Sequence, residues 1–295
     1  MMQAKNSKKS YFYAGLTVLF WSTVATAFKF GLSHLSPANL LFYSSLTSLI
    51  FFAVLLLFSN KRKSSLFSLP NLLKSALFGF LNPFLYYLIL FEAYKLLPAQ
   101  IAQPLNYTWV IVVTILMAVF MNQKLQLTGI IGLLISFGGV IVLSSQGSIP
   151  GLGEINIFGV VLAISSSLFW GIYWLLNVRD KRDDVHKLFL NFLFGTIFIF
   201  IYCLFTEGIT ISFEGITAGI YIGLFEMGIT FFVWLKALQY AENTAKTGNI
   251  IYLSPFLSLV FIALILGEPI SILSIAGLCL IVLGILLPKI LKKSD

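Results

Sequence analysis

Charged residues are scarce in this chain. Lys, Arg, Asp and Glu make up only 10% of the 295 residues, against roughly a quarter in an ordinary globular domain. The hydrophobic share is 59% and the mean hydropathy is +0.96, which is more apolar surface than a water-soluble protein of this size can bury. The composition therefore excludes a soluble enzyme, a nucleic-acid-binding domain and a disordered chain, and it indicates a protein embedded in lipid.

Cysteine, histidine and enzyme motifs are also few or missing. The two cysteines, Cys203 and Cys279, lie inside apolar runs, and the two histidines are far apart in sequence, so the spacing of a metal site is not present. The sequence contains no Walker phosphate-binding loop, no His-Glu-x-x-His zinc motif and no Gly-x-Ser-x-Gly nucleophile elbow. We therefore predict that the protein is not an enzyme and uses neither a cofactor nor a metal.

Long continuous apolar runs are what the sequence has in abundance. A helix needs about 20 residues to cross the hydrocarbon of a bilayer, and ten runs are long enough. Pro37, Pro70, Pro98 and Pro269 mark the starts of helices, where a missing N–H does no harm. The ten predicted spans are residues 11–32, 38–58, 72–94, 98–121, 125–144, 155–178, 187–206, 215–238, 244–266 and 270–290.

The positive charge indicates orientation. If the N-terminus is cytoplasmic, Lys29 and Lys95 fall outside and the other 17 of the 19 basic residues fall inside. This is the distribution that the positive-inside rule requires. We therefore expect a multi-pass protein of the cell membrane, in contact with lipid, with both termini cytoplasmic. The net charge of +8 needs no nucleic-acid partner, and the charged loop 179–187 is interpreted as a solvated part of the same pattern.

The chain reads as two similar halves, residues 1–146 and 147–295. Leu19-Phe20-Trp21 in the first span recurs as Leu168-Phe169-Trp170 in the sixth. Two glycines seven residues apart occur in the fifth span and again in the tenth, and that spacing places each pair on one helix face, where it permits close packing. Each half has five spans, an odd number, so the second half enters the membrane from the opposite side. The predicted fold is an all-α polytopic membrane protein of ten transmembrane helices in two inverted five-helix repeats.

With these features the sequence resembles the EamA-type drug/metabolite transporters. The resemblance rests on the repeated Leu-Phe-Trp segments, on Leu266-Gly267-Glu268-Pro269 before a glycine-spaced last helix, and on the five-plus-five organisation, and it covers nearly the whole chain. It implies a secondary transporter, often an exporter of amino acids and related metabolites, with a central cavity between the repeats. The first half has Met121-Asn122-Gln123-Lys124 where the second has Gly267-Glu268-Pro269, so Glu268 is interpreted as a helix cap or dipole partner.

Glu226 is the principal candidate for a functional residue. It is the one acidic residue deep inside a predicted span, and a charge at that depth costs about 2.5 kcal/mol or more. A shift of 144 residues aligns it with Asn82, which precedes Pro83. Helical spacing extends both positions into stripes that are predicted to face the cavity; these are Ser75, Gly79, Asn82 and Tyr86 in the third span and Gly219, Gly223, Glu226 and Thr230 in the eighth. A packing role for either polar residue is the alternative.

Further polar and aromatic candidates lie in three other groups, one on the sixth span and two beside prolines. Trp170 and Trp174 share one face of the sixth span, and aromatic faces bind ammonium groups or rings, although they more often pack. Two groups lie beside Pro104 and Pro255, where a distorted helix could form a transport site or a simple kink. The complete predicted substrate site is Glu226, Asn82, Tyr86, Trp170, Trp174, Gln103, Asn106, Trp109, Asn249 and Ser254, with Glu226 as the coupling residue.

The sequence thus predicts a secondary transporter, exporting small amino-acid-like or amine-like metabolites by alternating access and coupled to protons through Glu226. Transport of carboxylates or drug-like compounds is the nearest alternative, and a non-coupled channel or scaffold is the next. The glycines at 215, 219 and 223 form either an internal packing face or the contact of a homodimer.

Overall fold

The computed structural model describes residues 6–58, 67–109, 111–112, 115–116, 127–144, 148–149, 153–242, 247 and 250–291. These residues are helical apart from turns and one antiparallel pair of two-residue strands, Ser148–Ile149 and Gly153–Glu154, labelled β1 and β2. The α-helices are α1 Ser7–Leu32, α2 Pro37–Leu57, α3 Leu69–Gly79, α4 Tyr86–Leu96, α5 Ala99–Asn106, α6 Leu127–Ser144, α7 Ile157–Arg179, α8 Asp184–Thr206, α9 Phe213–Ile222, α10 Ile229–Tyr240, α11 Ser254–Phe261 and α12 Ile272–Leu291.

The helix starts carry the expected local signals. The side chains of Ser36, Asn156 and Ser212 each accept a hydrogen bond from a main-chain N–H in the first turn of the helix that follows, as N-cap residues do. Pro37 occupies the first turn of α2 and Pro98 is the N-cap of α5. These caps satisfy main-chain donors that would otherwise be costly to leave unbonded in an apolar medium.

Six described helical segments are long and apolar enough to cross a membrane, and they coincide with the predicted spans one, two, three, six, seven and eight. Shorter apolar helices at Leu127–Val142, Ile250–Leu266 and Ile272–Leu287 coincide with spans five, nine and ten. The fourth predicted span lies only partly within the described residues. The chain is therefore a multi-span helical membrane protein, and the count of ten stays a prediction.

Two of the six long spans change their winding at the middle. Between α3 and α4 a π-helical turn, Phe80–Leu85, contains Asn82 in an extended conformation, because Pro83 has no N–H to continue the helix. Between α9 and α10 a second π-helical turn runs from Gly223 to Gly228. The sequence predicts the first distortion through Pro83, but the second contains no proline.

The helices of the two predicted halves interlock. The first helix of the first half, α1, packs against α10 and α11 of the second half. Its counterpart in the second half, α7, packs against α4 and α5 of the first half, which are the counterparts of α10 and α11. Other contacts between the halves pair α8 with α2 and α3, α9 with α1 and α2, and α6 with α12. Each half thus completes its core with helices of the other.

Contacts between helix ends occur on two opposite faces of the protein, as expected for helices that cross the membrane in alternating directions. On the face where α1 begins, here called the N-terminal face, the Asn6 N–H donates to the carbonyl oxygen of Tyr240 at 2.9 Å, and Arg182 reaches the carbonyl oxygen of Asn71 at 3.0 Å. On the opposite face, here called the distal face, the Thr210 N–H donates to the side chain of Asn39 at 2.8 Å. These contacts support alternating directions for the helices they join.

The glycine pairs predicted for close packing do pack closely. A Cβ added to Gly139 on α6 would lie 2.6 Å from the carbonyl oxygen of Gly277 on α12, and one added to Gly284 would collide with the main chain of Gly132. The hydroxyl of Ser136 also donates to the carbonyl oxygen of Ile281 at 3.1 Å. Small residues allow the two backbones to approach, which is the usual way that membrane helices associate.

Gly139→Ala is expected to lower the free energy of unfolding by about 1–3 kcal/mol, because the new methyl group overlaps α12. Gly138→Ala is the matched control, since a Cβ at Gly138 meets nothing within 4 Å and alanine favours the helix. Thermal unfolding of both variants in detergent measures the difference. Equal melting temperatures for the two would contradict the close crossing.

Candidate substrate site

Glu226 lies in the π-helical turn between α9 and α10, halfway along the span. Its side chain is half-buried, and the Tyr87 hydroxyl donates a hydrogen bond of 3.0 Å to its Oε1 atom. The indole N–H of Trp21 donates to the main-chain oxygen of Glu226 at 3.4 Å, which ties the turn to α1. Among the described residues, no Lys or Arg forms an ion pair with this carboxyl group.

Trp170 is the centre of a contiguous group of rings beside Glu226. It stacks on Tyr86 and on Tyr173, with ring centroids 4.9 Å and 5.7 Å apart, and it contacts the rings of Trp109 and Phe231. Helices from both halves supply these rings. We define the aromatic cluster as Trp21, Tyr86, Tyr87, Trp109, Trp170, Tyr173, Phe231 and Trp234.

The cluster has a closed side and a more open side. Tyr86, Tyr87, Trp170 and Tyr173 are buried, whereas Trp21, Trp109, Phe231 and Trp234 are half-buried like Glu226. The closed side is fixed by hydrogen bonds, since the Asn106 amide donates to the Tyr86 hydroxyl at 3.1 Å and the Ser166 hydroxyl donates to the Asn106 oxygen at 3.4 Å. Rigid rings next to one carboxyl group can bind a cation that also carries an apolar or aromatic part.

The structure brings five of the predicted site residues together: Glu226, Tyr86, Asn106, Trp109 and Trp170. Gln103 is buried one helical turn before Tyr107, and Ser254 lies beside the Tyr107 hydroxyl. Asn82 is buried on the other side of the cluster, next to Tyr173. Asn249 lies outside the described residues, and Trp174 is described only as part of α7.

The prediction that whole stripes face a cavity is wrong for their small residues. Ser75 accepts a hydrogen bond from Arg182, and Gly79 packs against the main chain of α8. On the other stripe, Gly219 and Gly223 pack against α2. These glycines permit contact between the halves, so the face at positions 215, 219 and 223 is used inside the chain; a homodimer stays a prediction that would need another surface.

Sequence analysis missed Tyr87, the hydrogen-bond partner of Glu226. Helical spacing counted from Asn82 selects Tyr86, but the helix is interrupted at Asn82, so the spacing does not carry across the turn. It also missed Tyr173, Phe231 and Trp234. A search for aromatic residues on both sides of each polar mid-span position would have found them.

The distal face has an open cavity of about 520 Å³ near the junction of α4 and α5. Lys29 donates from Nζ to the carbonyl oxygens of Tyr94 at 2.9 Å and Leu97 at 3.1 Å, at the C-terminus of α4. Glu268 accepts hydrogen bonds from the N–H groups of Ala99 and Gln100, so its interpretation as a cap is confirmed. The helix it caps is α5, in the other half.

The charged loop on the N-terminal face is held against the helices, so its interpretation as a solvated segment is wrong. Asp180 is buried and pairs with Arg182 at 2.7 Å and with Lys74 at 3.2 Å. Burial by itself raises the pKa of Asp180, but the hydrogen bonds and charge of Arg182, together with Lys74, outweigh that effect and hold the pKa below its ordinary value. Arg182 also bonds to α3, so this loop joins the two halves.

The fold and this site define a multi-span membrane transporter, and comparisons with known proteins agree. The chain belongs to the EamA-like transporter family, whose sequence profile matches it twice, over residues 8–145 and 157–288. An uncharacterized transporter of Archaeoglobus fulgidus is 27% identical over 95% of this chain and 97% of its own length. The uncharacterized transporter YvbV of Bacillus subtilis is 26% identical over 77% of this chain and 73% of its own.

One solved structure resembles the whole chain in fold. It has a TM-score of 0.67, covers 98% of this chain and 99% of its own, and is 19% identical in sequence. At that identity the likeness concerns the fold alone.

Proposed function

We propose that this protein is a secondary transporter that exports small amine-like or amino-acid-like metabolites in exchange for protons. The observation that carries the proposal is the position of Glu226, a carboxyl group in the middle of a membrane span, bonded to Tyr87 and next to aromatic rings from both halves. An ionised carboxyl group is costly at that depth unless a cation neutralises it. A proton and a substrate ammonium group are two cations that can do so in alternation.

Alternating access requires two units that move around a shared site, and the proposed units are two inverted five-helix repeats, residues 1–146 and 147–295. Three observations support them. The family profile matches each half separately. The two π-helical turns, beginning at Phe80 and Gly223, lie within one residue of corresponding positions under the shift of 144 residues, and the contacts of α1 correspond to those of α7.

The proposed cycle uses the two states of Glu226. In the inward-facing state the ammonium group of the substrate replaces the proton, and the aromatic cluster holds the rest of the molecule. In the outward-facing state an external proton displaces the substrate. Export with proton entry then follows the direction of the gradient across an energised cell membrane, and the export direction also follows the family resemblance.

Transport into proteoliposomes with an acidic interior tests the proposal, using a panel of quaternary ammonium compounds, amino acids and carboxylates. Quaternary compounds cannot accumulate as weak bases, so their uptake requires exchange through the protein. We expect saturable uptake of cations. This uptake should be abolished by a protonophore and absent from protein-free liposomes. Uptake restricted to carboxylates, or unsaturable flux that ignores the pH gradient, would overturn the proposal.

The proposed orientation places the N-terminal face in the cytoplasm, because it carries 17 of the 19 basic residues in the predicted topology. A reporter fused after Asp295 should therefore be cytoplasmic, and one inserted at Gly147 should be outside. A cytoplasmic reading at Gly147 would show that the ten-span order is wrong.

A further inference from the structure

Lys29 joins two helices at the distal face. It lies in the last turn of α1, and its ammonium group donates hydrogen bonds to the carbonyl oxygens of Tyr94 at 2.9 Å and of Leu97 at 3.1 Å, at the end of α4. Within the described chain, no other residue makes a hydrogen bond between α1 and α4. Hydrogen bonds from a charged donor are stronger than neutral ones, and the helix dipole favours a cation at the carbonyl end of a helix. Lys29 therefore stabilises the contact between the two helices.

The two helices carry opposite sides of the substrate site. α4 begins with Tyr86 and Tyr87, which belong to the closed side of the aromatic cluster, and α1 carries Trp21, which belongs to its open side. α4 has 11 residues and is therefore about 16 Å long, so it extends from the substrate site to the distal cavity. Separation of α1 from α4 at the distal face would open a route from that face to Glu226.

α4 is a half-helix with a natural pivot at its start. The π-helical turn before it holds Asn82 in an extended conformation, and Pro83 supplies no N–H to the helix. A few residues at the end of an element are enough to absorb the backbone rotation of a hinge. Because α4 packs mainly against α7, these two helices can move as one unit away from α1.

The corresponding half-helix at the other face is held differently. α10 follows the second π-helical turn as α4 follows the first, and α1 bonds its last carbonyl groups too. The Asn6 N–H donates to the carbonyl oxygen of Tyr240 at 2.9 Å, and the buried hydroxyl of Ser10 donates to that of Ala237 at 2.9 Å. A main-chain N–H and a short side chain separate from these oxygens only if α1 itself moves. The long, flexible side chain of Lys29 can leave its oxygens by rotating.

The distal cavity can accept the ammonium group when it leaves α4. Lys29 is half-buried and lines this open cavity of about 520 Å³, together with the exposed side chain of Glu154. A buried charge without a partner is costly, but a long basic side chain can place its charged end in water. The ammonium group therefore has a hydrated position beside a carboxylate as its second state, and its bonds to α4 are reversible.

We propose that Lys29 is the latch of an outer gate. While its two bonds hold α1 against α4, the substrate site is closed to the distal face; when they are released, α4 and α7 move away from α1 and the site opens to that face. Lys29 acts through α4 and is a positioning residue. The inference rests on the proposed alternating access, but it requires neither a particular substrate nor proton exchange at Glu226.

Access to one engineered cysteine from each side of the membrane tests the latch. Phe231→Cys places it on the open side of the aromatic cluster, in a full-length chain whose Cys203 and Cys279 are replaced with Ala. A membrane-impermeant thiol reagent reaches one face in intact cells and the other in inverted membrane vesicles, and no substrate is added. Lys29→Met keeps the length of the side chain but removes both bonds. We expect it to make labelling from the distal face about tenfold faster or more, and labelling from the N-terminal face slower.

Lys95→Met is the matched control. Lys95 lines the same cavity, but it is exposed and lies on α4 itself, so the variant loses the same charge without loosening α4 from α1. It should be labelled at the rate of the unmodified reporter protein, and Lys29→Arg, which keeps a cationic donor, should stay close to that rate. If Lys29→Met does not reach the membrane, Lys29→Gln takes its place, because its shorter side chain cannot reach both carbonyl oxygens.

Unchanged labelling in Lys29→Met, or an equal effect of Lys95→Met, would overturn the latch and leave alternating access intact. Faster labelling of Lys29→Met from both faces would also overturn it, because a loosened structure and not a gate would then be the cause. Equal labelling of the reporter protein with Lys29 in place from both faces would contradict alternating access itself. Failure of the latch and failure of the proposed function therefore give different results.

Discussion

Replacement of Glu226 with Gln is expected to abolish transport driven by a pH gradient while the protein still folds and reaches the membrane. Glutamine keeps the size of the side chain and can still accept the hydrogen bond from Tyr87. It cannot release or bind a proton, so the gradient has no group to act on. It also removes the negative charge opposite a cationic substrate, which should weaken binding by about 2 kcal/mol or more, roughly 30-fold.

Uptake into acid-interior proteoliposomes and substrate binding at two pH values measure these effects. Glu214→Gln is the control, since Glu214 is an exposed acidic residue at the start of α9, in the same span. Glu226→Leu distinguishes a packing role, which would reduce transport only in proportion to the amount of folded protein. Full gradient-driven transport by Glu226→Gln would show that Glu226 is a packing residue.

Replacement of Trp170 with Leu is expected to raise KM for ammonium substrates by up to about 30-fold. Trp170 contacts four rings of the aromatic cluster, and a desolvated cation–π contact contributes up to about 2 kcal/mol. Trp170→Phe should retain most of the affinity because it keeps an aromatic face. The rise in KM should exceed any change in maximal rate per folded molecule.

Phe28→Leu is the control for general loss of aromatic packing. Phe28 contacts Phe91 and Tyr94, with ring centroids 4.7 Å and 5.1 Å away, near the distal end of α1. It should leave KM for ammonium substrates unchanged. An equal rise in KM for Phe28→Leu and Trp170→Leu would mean that the aromatic cluster contributes only stability.

Local patterns in the sequence predicted the features that depend on a few neighbouring residues. Apolar runs located six long membrane helices, prolines located helix starts, and the glycine pairs located the crossing of α6 and α12. Glu268 was assigned to a cap because it precedes a helix, yet the helix it caps is α5. Sequence position alone does not reveal which neighbour approaches through tertiary packing.

The rest of the site depends on geometry that sequence spacing cannot supply. The π-helical turn at Gly223–Gly228 contains no proline, and the interruption at Asn82 breaks the spacing that would have led to Tyr87. The loop with Asp180 has the composition of a solvated segment. Asp180 is nevertheless buried, because ion pairs with Arg182 and Lys74 offset the cost of burying its charge. In each case a contact between distant parts of the chain overrides the local pattern.

Proton release on substrate binding tests the central claim most directly. The purified protein, in weak buffer with a pH-sensitive dye, is mixed with a quaternary ammonium substrate identified in the transport panel. If Glu226 exchanges a proton for the cation, the wild-type protein should release close to one proton for each substrate bound, and Glu226→Gln should bind more weakly and release none. Binding without proton release by the wild-type protein, or equal release by both proteins, would contradict proton coupling through Glu226.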